Sequence, residues 1–264
     1  MNQLIQTIIL GLIQGLAEWL PISSTAHLRI SEHFLGLTAT PLFNIILHVG
    51  TLVVVVFYFR REIKKILSAL VHLDFQSEYG QLIPLIIVAT IPTAVIGLLY
   101  VEFLEDVLQT ILAIGVTFLV GATIVYASKI GKENKDAITY AIALVMGAAQ
   151  GFAIFPGLSR SGITISSALL LGLKREKAFK FSFLLSIPAI LGDLIVEAYK
   201  QHGQLVAQGI GSIELLVGVA VAMIAGYIAI KLVSKIVASK KFHYFAIYTW
   251  LLGATLIVLT LTGF

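Results

Sequence analysis

The stretch "GAAQGFAIFPGLSRSGITI", Gly147 to Ile165, decides how this chain is read. Around it the sequence is almost wholly apolar, and Arg160 is the single charged residue between Asp136 and Lys174. Pro156 and Gly157 interrupt a helix there, and Ser159, Arg160, Ser161 and Thr164 open a second, short one. A lone arginine at bilayer depth costs at least about 2.5–3.5 kcal/mol on insertion scales, so its presence demands a reason.

Composition names the solvent. Of 264 residues 58% are hydrophobic and 12% charged, with a mean hydropathy of +0.98. A soluble domain carries about twice that share of charge. Several apolar runs reach the roughly 20 residues a bilayer crossing needs. The chain is therefore read as an all-α polytopic membrane protein, surrounded by membrane lipids and with no nucleic-acid partner. The net charge of +4 is small, so the placement of charge matters more than its sum. The absence of cysteine excludes disulfides and thiolate metal sites. The first residues lack a basic n-region and a small-x-small cleavage pattern, so no removable signal peptide is expected.

The opening stretch has an echo. "LIQGLAEWLPISSTAHL", Leu12 to Leu28, shares its order of Gln-Gly-x-Ala, an aromatic, Pro and a Ser/Thr cluster, 136 residues earlier when Gln14 is set on Gln150. At nearly the same offset "FNIILHVGTLVVVVFYF" from Phe43 matches "FSFLLSIPAILGDLIVEAY" from Phe181. Two halves of a single membrane domain follow, 1–134 and 135–264. Each half reads as one interrupted segment, 3–37 or 138–173, followed by three simple spans. These are expected at 42–60, 82–104 and 108–128, and at 180–199, 213–233 and 244–262.

Basic residues fix the path. They cluster at Arg60, Arg61, Lys64 and Lys65; at Lys129, Lys132 and Lys135; at Lys174, Arg175, Lys177 and Lys180; and at Lys231, Lys235, Lys240 and Lys241. All four clusters share one face, the cytoplasmic one, if both interrupted segments are re-entrant hairpins and the other six segments cross. Three crossings per half then make the repeat inverted, with the first hairpin dipping in from outside and the second from the cytoplasm. Broken helices in inverted repeats place sites near the midplane.

Gln14 and Glu18 share a helix face before the Pro21 break, and Ser23, Ser24 and Thr25 are N-cap types for a short helix carrying His27. Each break exposes helix N-terminal N–H groups, a seat for an anion, and the planar fork of Arg160 suits phosphate or carboxylate. The plainer alternatives are an Arg160 that only pairs with Glu18, and hydroxyls that only let helices pack, the reading preferred for Ser166 and Ser167. His48, Asp193 and Glu197 are read as structural or loop-side groups. The small residues Gly218, Ala222 and Gly226 are read as exposed, where a second copy of the chain could pack as a homodimer.

The segments "QGLAEWLPISSTAH" and "FPGLSRSGIT" resemble the (E/Q)xxxE and PGxSRSxxT motifs of the undecaprenyl-diphosphate phosphatase family of the bacitracin-resistance type (UppP/BacA). The resemblance covers essentially the whole chain. It implies hydrolysis of a polyprenyl diphosphate lipid to its monophosphate for reuse in cell-wall synthesis, a divalent cation, and a site opening to the outer face of the bacterial inner membrane. Its functional positions would be Gln14, Glu18, Ser24, His27, Ser159, Arg160 and Thr164. On that basis Glu18, with Gln14 or water, is expected to hold Mg²⁺ or Ca²⁺. Arg160, Ser23, Thr25, Ser159, Ser161 and Thr164 are expected to bind the phosphates. Ser24 is the expected nucleophile with His27 as its base, or else His27 activates water directly. Gln14 stands where many relatives carry glutamate, which removes one candidate metal ligand. The rival class is a transporter or flippase of a phosphorylated lipid or small anion, which would use the same anion seat without a nucleophile.

Overall fold

The computed structural model describes residues 3–36, 41–200 and 211–263. The chain runs through α1 (Gln3–Trp19), α2 (Ser24–Leu35), α3 (Pro41–Tyr58), α4 (Arg60–Val71), α5 (Leu82–Phe103), α6 (Glu105–Leu108), α7 (Ile111–Ala127), α8 (Tyr140–Phe152), α9 (Arg160–Leu170), α10 (Arg175–Lys200), α11 (Ser212–Ala238) and α12 (Phe245–Leu261). No strand occurs among the described residues, and the one β-bridge, between Lys135 and Leu173, is isolated.

Both interrupted segments fold back as helical pairs, α1 with α2 and α8 with α9, at the predicted breaks. Five helices are long and apolar enough to cross a bilayer, α5, α7, α10, α11 and α12, or six when α3 is joined to α4. That sixth span differs from the expectation. Helix does not stop near residue 60 but resumes in α4, bent by 78° from α3. Arg61, Lys64 and Lys65 on α4 are exposed alongside Leu67, Leu70 and Val71. Good helix formers keep the segment helical, while its charges cannot follow α3 through hydrocarbon. Turning aside along an interface satisfies both.

Close approach of small residues organises the bundle. A Cβ on Gly11 of α1 would lie 2.5 Å from the carbonyl oxygen of Gly218 on α11. One turn on, Gly15 faces Ala222, and Gly226 leaves room for the Trp19 ring. Gly218, Ala222 and Gly226 are thus buried inside one chain, which corrects their reading as exposed dimer contacts. The helix that needs them is α1, whose polar end must be held deep in the protein. Helices distant in sequence pair across the bundle: α1 packs on α11, α8 on α5, and α7 on α12.

Candidate active site

The two breaks meet, and a guanidinium, a carboxylate and a hydroxyl converge between them. Glu18, near the end of α1, accepts at Oε1 from Arg160 Nη2 at 2.5 Å. Its Oε2 accepts from Ser24 Oγ at 2.6 Å and from Gln14 Nε2 at 3.1 Å. Only 7% of the Glu18 side chain and 14% of that of Arg160 are exposed, so the pair must be compensated internally. It is: three donors converge on one carboxylate, and the guanidinium lies 5.1 Å from the centre of the Trp19 ring, which stacks on Phe183. Glu18 and Arg160 are 142 positions apart in sequence.

The remaining hydroxyls lock one break to the other. Where α1 stops, its last carbonyls lose their intrahelical partners. Ser161 Oγ donates to Trp19 O at 2.9 Å and Ser159 Oγ to Leu20 O at 3.2 Å, while Ser159 also caps α9 by accepting from Gly162 N–H. In return Ser23 Oγ accepts from Gly157 N–H at 3.1 Å. Ser23 and Gly157 have φ of 69° and 100°, in the left-handed region. Only glycine fits at 157, where a Cβ would sit 2.8 Å from Ile114 O and 3.0 Å from Phe118 N. Thr117 donates to Pro156 O and fixes the same corner. Thr164 donates to Arg160 O at 2.7 Å and pairs with the Ser182 hydroxyl. Thus Ser23, Ser159, Ser161 and Thr164, expected at the phosphates, have their hydroxyls on protein partners, and Thr25 is exposed. Of the two helix N-termini expected to seat an anion, that of α9 is capped and that of α2 carries no side-chain cap.

His27 and Ser24 do not form the expected base–nucleophile pair. His27 Nδ1 donates to Ser23 O at 2.8 Å, and Nε2 bonds the Tyr248 hydroxyl at 2.7 Å. The ring stacks on Tyr248 and meets Phe118 edge-on. The imidazole of His27 meets Tyr248 on α12 and Phe118 on α7, and the group that receives the Ser24 hydrogen bond is Glu18.

Sequence reasoning missed Trp19, Tyr248 and Ser182, for which an apolar or hydroxylated helix face carries no signal. It also set aside His48. That residue lies on α3 with Nε2 4.0 Å from Glu18 Oε2 and Nδ1 2.9 Å from Asn44 O. The available signal was its position as an ionisable group within an apolar span. Asp193, read as structural, lies on α10, which packs against α3.

A divalent cation is tested by the donors present. Gln14 is fully buried and its Oε1 has no partner, beside a carboxylate. No cluster of three or more His, Cys, Asp or Glu occurs among the described residues. One carboxylate and one amide oxygen fit a hard cation that takes most of its ligands from a diphosphate, rather than an all-protein cage.

Interlocked hairpin tips inside a bundle of apolar helices, with a buried arginine–carboxylate–serine set between them, define a polytopic membrane protein with a polar centre at its broken helices. The chain belongs to the BacA family: the model described as "Bacitracin resistance protein BacA" matches residues 7–255. It is 41% identical over 265 residues to "Undecaprenyl-diphosphatase" of Carboxydothermus hydrogenoformans, covering 98% of each chain. It is also 41% identical over 262 residues to "Undecaprenyl-diphosphatase 3" of Bacillus cereus, again covering 98% of each. To "Undecaprenyl-diphosphatase" of Korarchaeum cryptofilum it is 38% identical over 265 residues, covering 97% of this chain and 99% of that one.

Proposed function

We propose that the protein is an undecaprenyl-diphosphate phosphatase, removing the terminal phosphate of the lipid diphosphate to leave the lipid monophosphate. The observation that carries the reading is Glu18 held between Arg160 and Ser24, because this joins a phosphate-binding fork to a hydroxyl already hydrogen-bonded to a base. Ser24 Oγ attacks the terminal phosphorus and its proton passes to Glu18 Oε2. The bridging P–O bond breaks, and the lipid monophosphate leaves with the bonding electrons. Once Glu18 is neutral, Arg160 loses its counter-charge as negative charge grows on the phosphates, and its fork turns to them. Water then attacks the phosphoserine phosphorus, the Ser24 Oγ–P bond breaks as Oγ takes the proton held by Glu18, and the phosphate leaves carrying both protons of the water as dihydrogen phosphate. His27, fixed by Ser23 and Tyr248, orients the start of α2, whose uncapped N–H groups face the phosphates.

Glu18 and Gln14 are the residues that would hold Mg²⁺ or Ca²⁺, and such an ion would supply charge neutralisation at the diphosphate. The polyprenyl tail stays in lipid. The basic clusters face the cytoplasm, the halves are inverted across the cytoplasmic membrane, and the site opens to the outer face. The folded-back helical pairs support that orientation, because a path with two re-entrant hairpins sets all four basic clusters on one face.

The test is phosphate release from a polyprenyl diphosphate by detergent-purified protein, with and without EDTA. Release by the natural protein and its loss in Glu18→Ala and Arg160→Ala are expected. A transporter would release none.

A further inference from the structure

We propose that His48 supplies a nitrogen ligand to the divalent cation, forming with Glu18 and Gln14 a mixed nitrogen–oxygen site. The inference rests on the cation of the proposed function and goes beyond it in naming a ligand on a third helix and in the ion preference this sets.

The tautomer of His48 follows from its partner. A backbone carbonyl can only accept, so the 2.9 Å contact with Asn44 O puts the proton of the neutral ring on Nδ1. Nε2 then carries a lone pair. Among the described residues it makes no hydrogen bond, and it faces Glu18 Oε2 at 4.0 Å. In that tautomer two acceptors confront each other. A cation relieves that opposition, and two ligand bonds of about 2.0–2.2 Å each can bridge such a gap. A ring N–H given to a backbone carbonyl is also the usual support of a metal-bound histidine, because it fixes ring orientation and raises ligand basicity.

Two buried acceptors on these two helices are also without partners. Gln14 Oε1 is buried without a partner while its Nε2 touches the same carboxylate, so a turn of the amide presents an oxygen to the ion. Asn44 Oδ1, one turn before His48 on α3, is likewise buried and unpartnered. Protein interiors rarely leave such groups unmet. His27 provides the contrast, since both its ring nitrogens already have partners. An imidazole among oxygen ligands favours Mn²⁺ or another first-row ion over Mg²⁺ and Ca²⁺.

The experiment loads detergent-purified full-length protein with Mn²⁺ in the presence of a geranylgeranyl methylene-bisphosphonate and records electron spin-echo modulation. A directly bound ¹⁴N coupling is expected beside the ³¹P coupling, lost in His48→Gln and kept in His27→Gln. Mn²⁺ affinity should fall at least about tenfold in His48→Gln. Uniform [¹⁵N]histidine labelling of the unaltered protein should replace the ¹⁴N signal, which requires no variant to fold. Bound Mn²⁺ with ³¹P coupling but no histidine nitrogen, or a coupling lost in His27→Gln instead, overturns the assignment and leaves the cation standing. Failure of the natural protein to bind Mn²⁺ overturns the cation itself, and this inference with it.

Discussion

At the first break Ser24 gives its hydroxyl to a carboxylate, whereas at the second Ser159 and Ser161 give theirs to backbone carbonyls of the first. The two are matched by the 136-residue offset that sets Gln14 on Gln150. That offset also sets Glu18 on Ile154, Ser24 on Arg160 and His27 on Ile163. The paired glutamines differ: Gln14 donates to Glu18, while Gln150 donates to Leu185 O at 3.2 Å. The first break carries the carboxylate and the hydroxyl bonded to it; the second contributes one charge and hydroxyls that hold backbone.

The sharpest way to break this contrast is Ser24→Ala. Phosphate release should fall at least about 10³-fold, as for loss of a nucleophile, with melting in detergent unchanged. Near-normal turnover would remove the chemistry from the first break. Arg160→Lys should cost about 10²–10³-fold in kcat, because a point charge cannot reproduce the fork aimed at the phosphates. A well-folded lysine variant of near-normal rate would show that the second break contributes scaffold only. Gly157→Ala tests the lock between breaks. The positive φ and lack of space should lower stability by about 1–3 kcal/mol, read as a reduced melting temperature in detergent. An unchanged melt would mean the corner at Gly157 does not hold the tips together. Ser166→Ala should be nearly silent in both turnover and melting, since the Ser166 hydroxyl is buried without a partner and its removal strands nothing. A large loss there would extend the site beyond the tips.

How much of this was legible varied with the range of the signal. Pro21, Pro156 and Gly157 announce broken helices locally, and an arginine in an apolar run announces a site wherever it occurs. The Glu18–Arg160 encounter was inferable because both belong to such breaks. His48 was not, since one histidine on an apolar helix does not say which face it presents. The same holds for Tyr248, which reaches His27 from 221 residues away.

By itself the sequence determined the solvent, the spans apart from the bend after α3, both broken helices and the residues that carry charge into the apolar segments. Tertiary structure alone decided that Ser24 faces Glu18 rather than His27, that the second break's hydroxyls hold backbone, and that Gly218 and Ala222 seat α1 instead of a second copy. The physical reason is reach. Helix interruption and the cost of burying a charge depend on a few neighbouring residues, whereas a hydrogen-bond partner depends on which helices lie alongside.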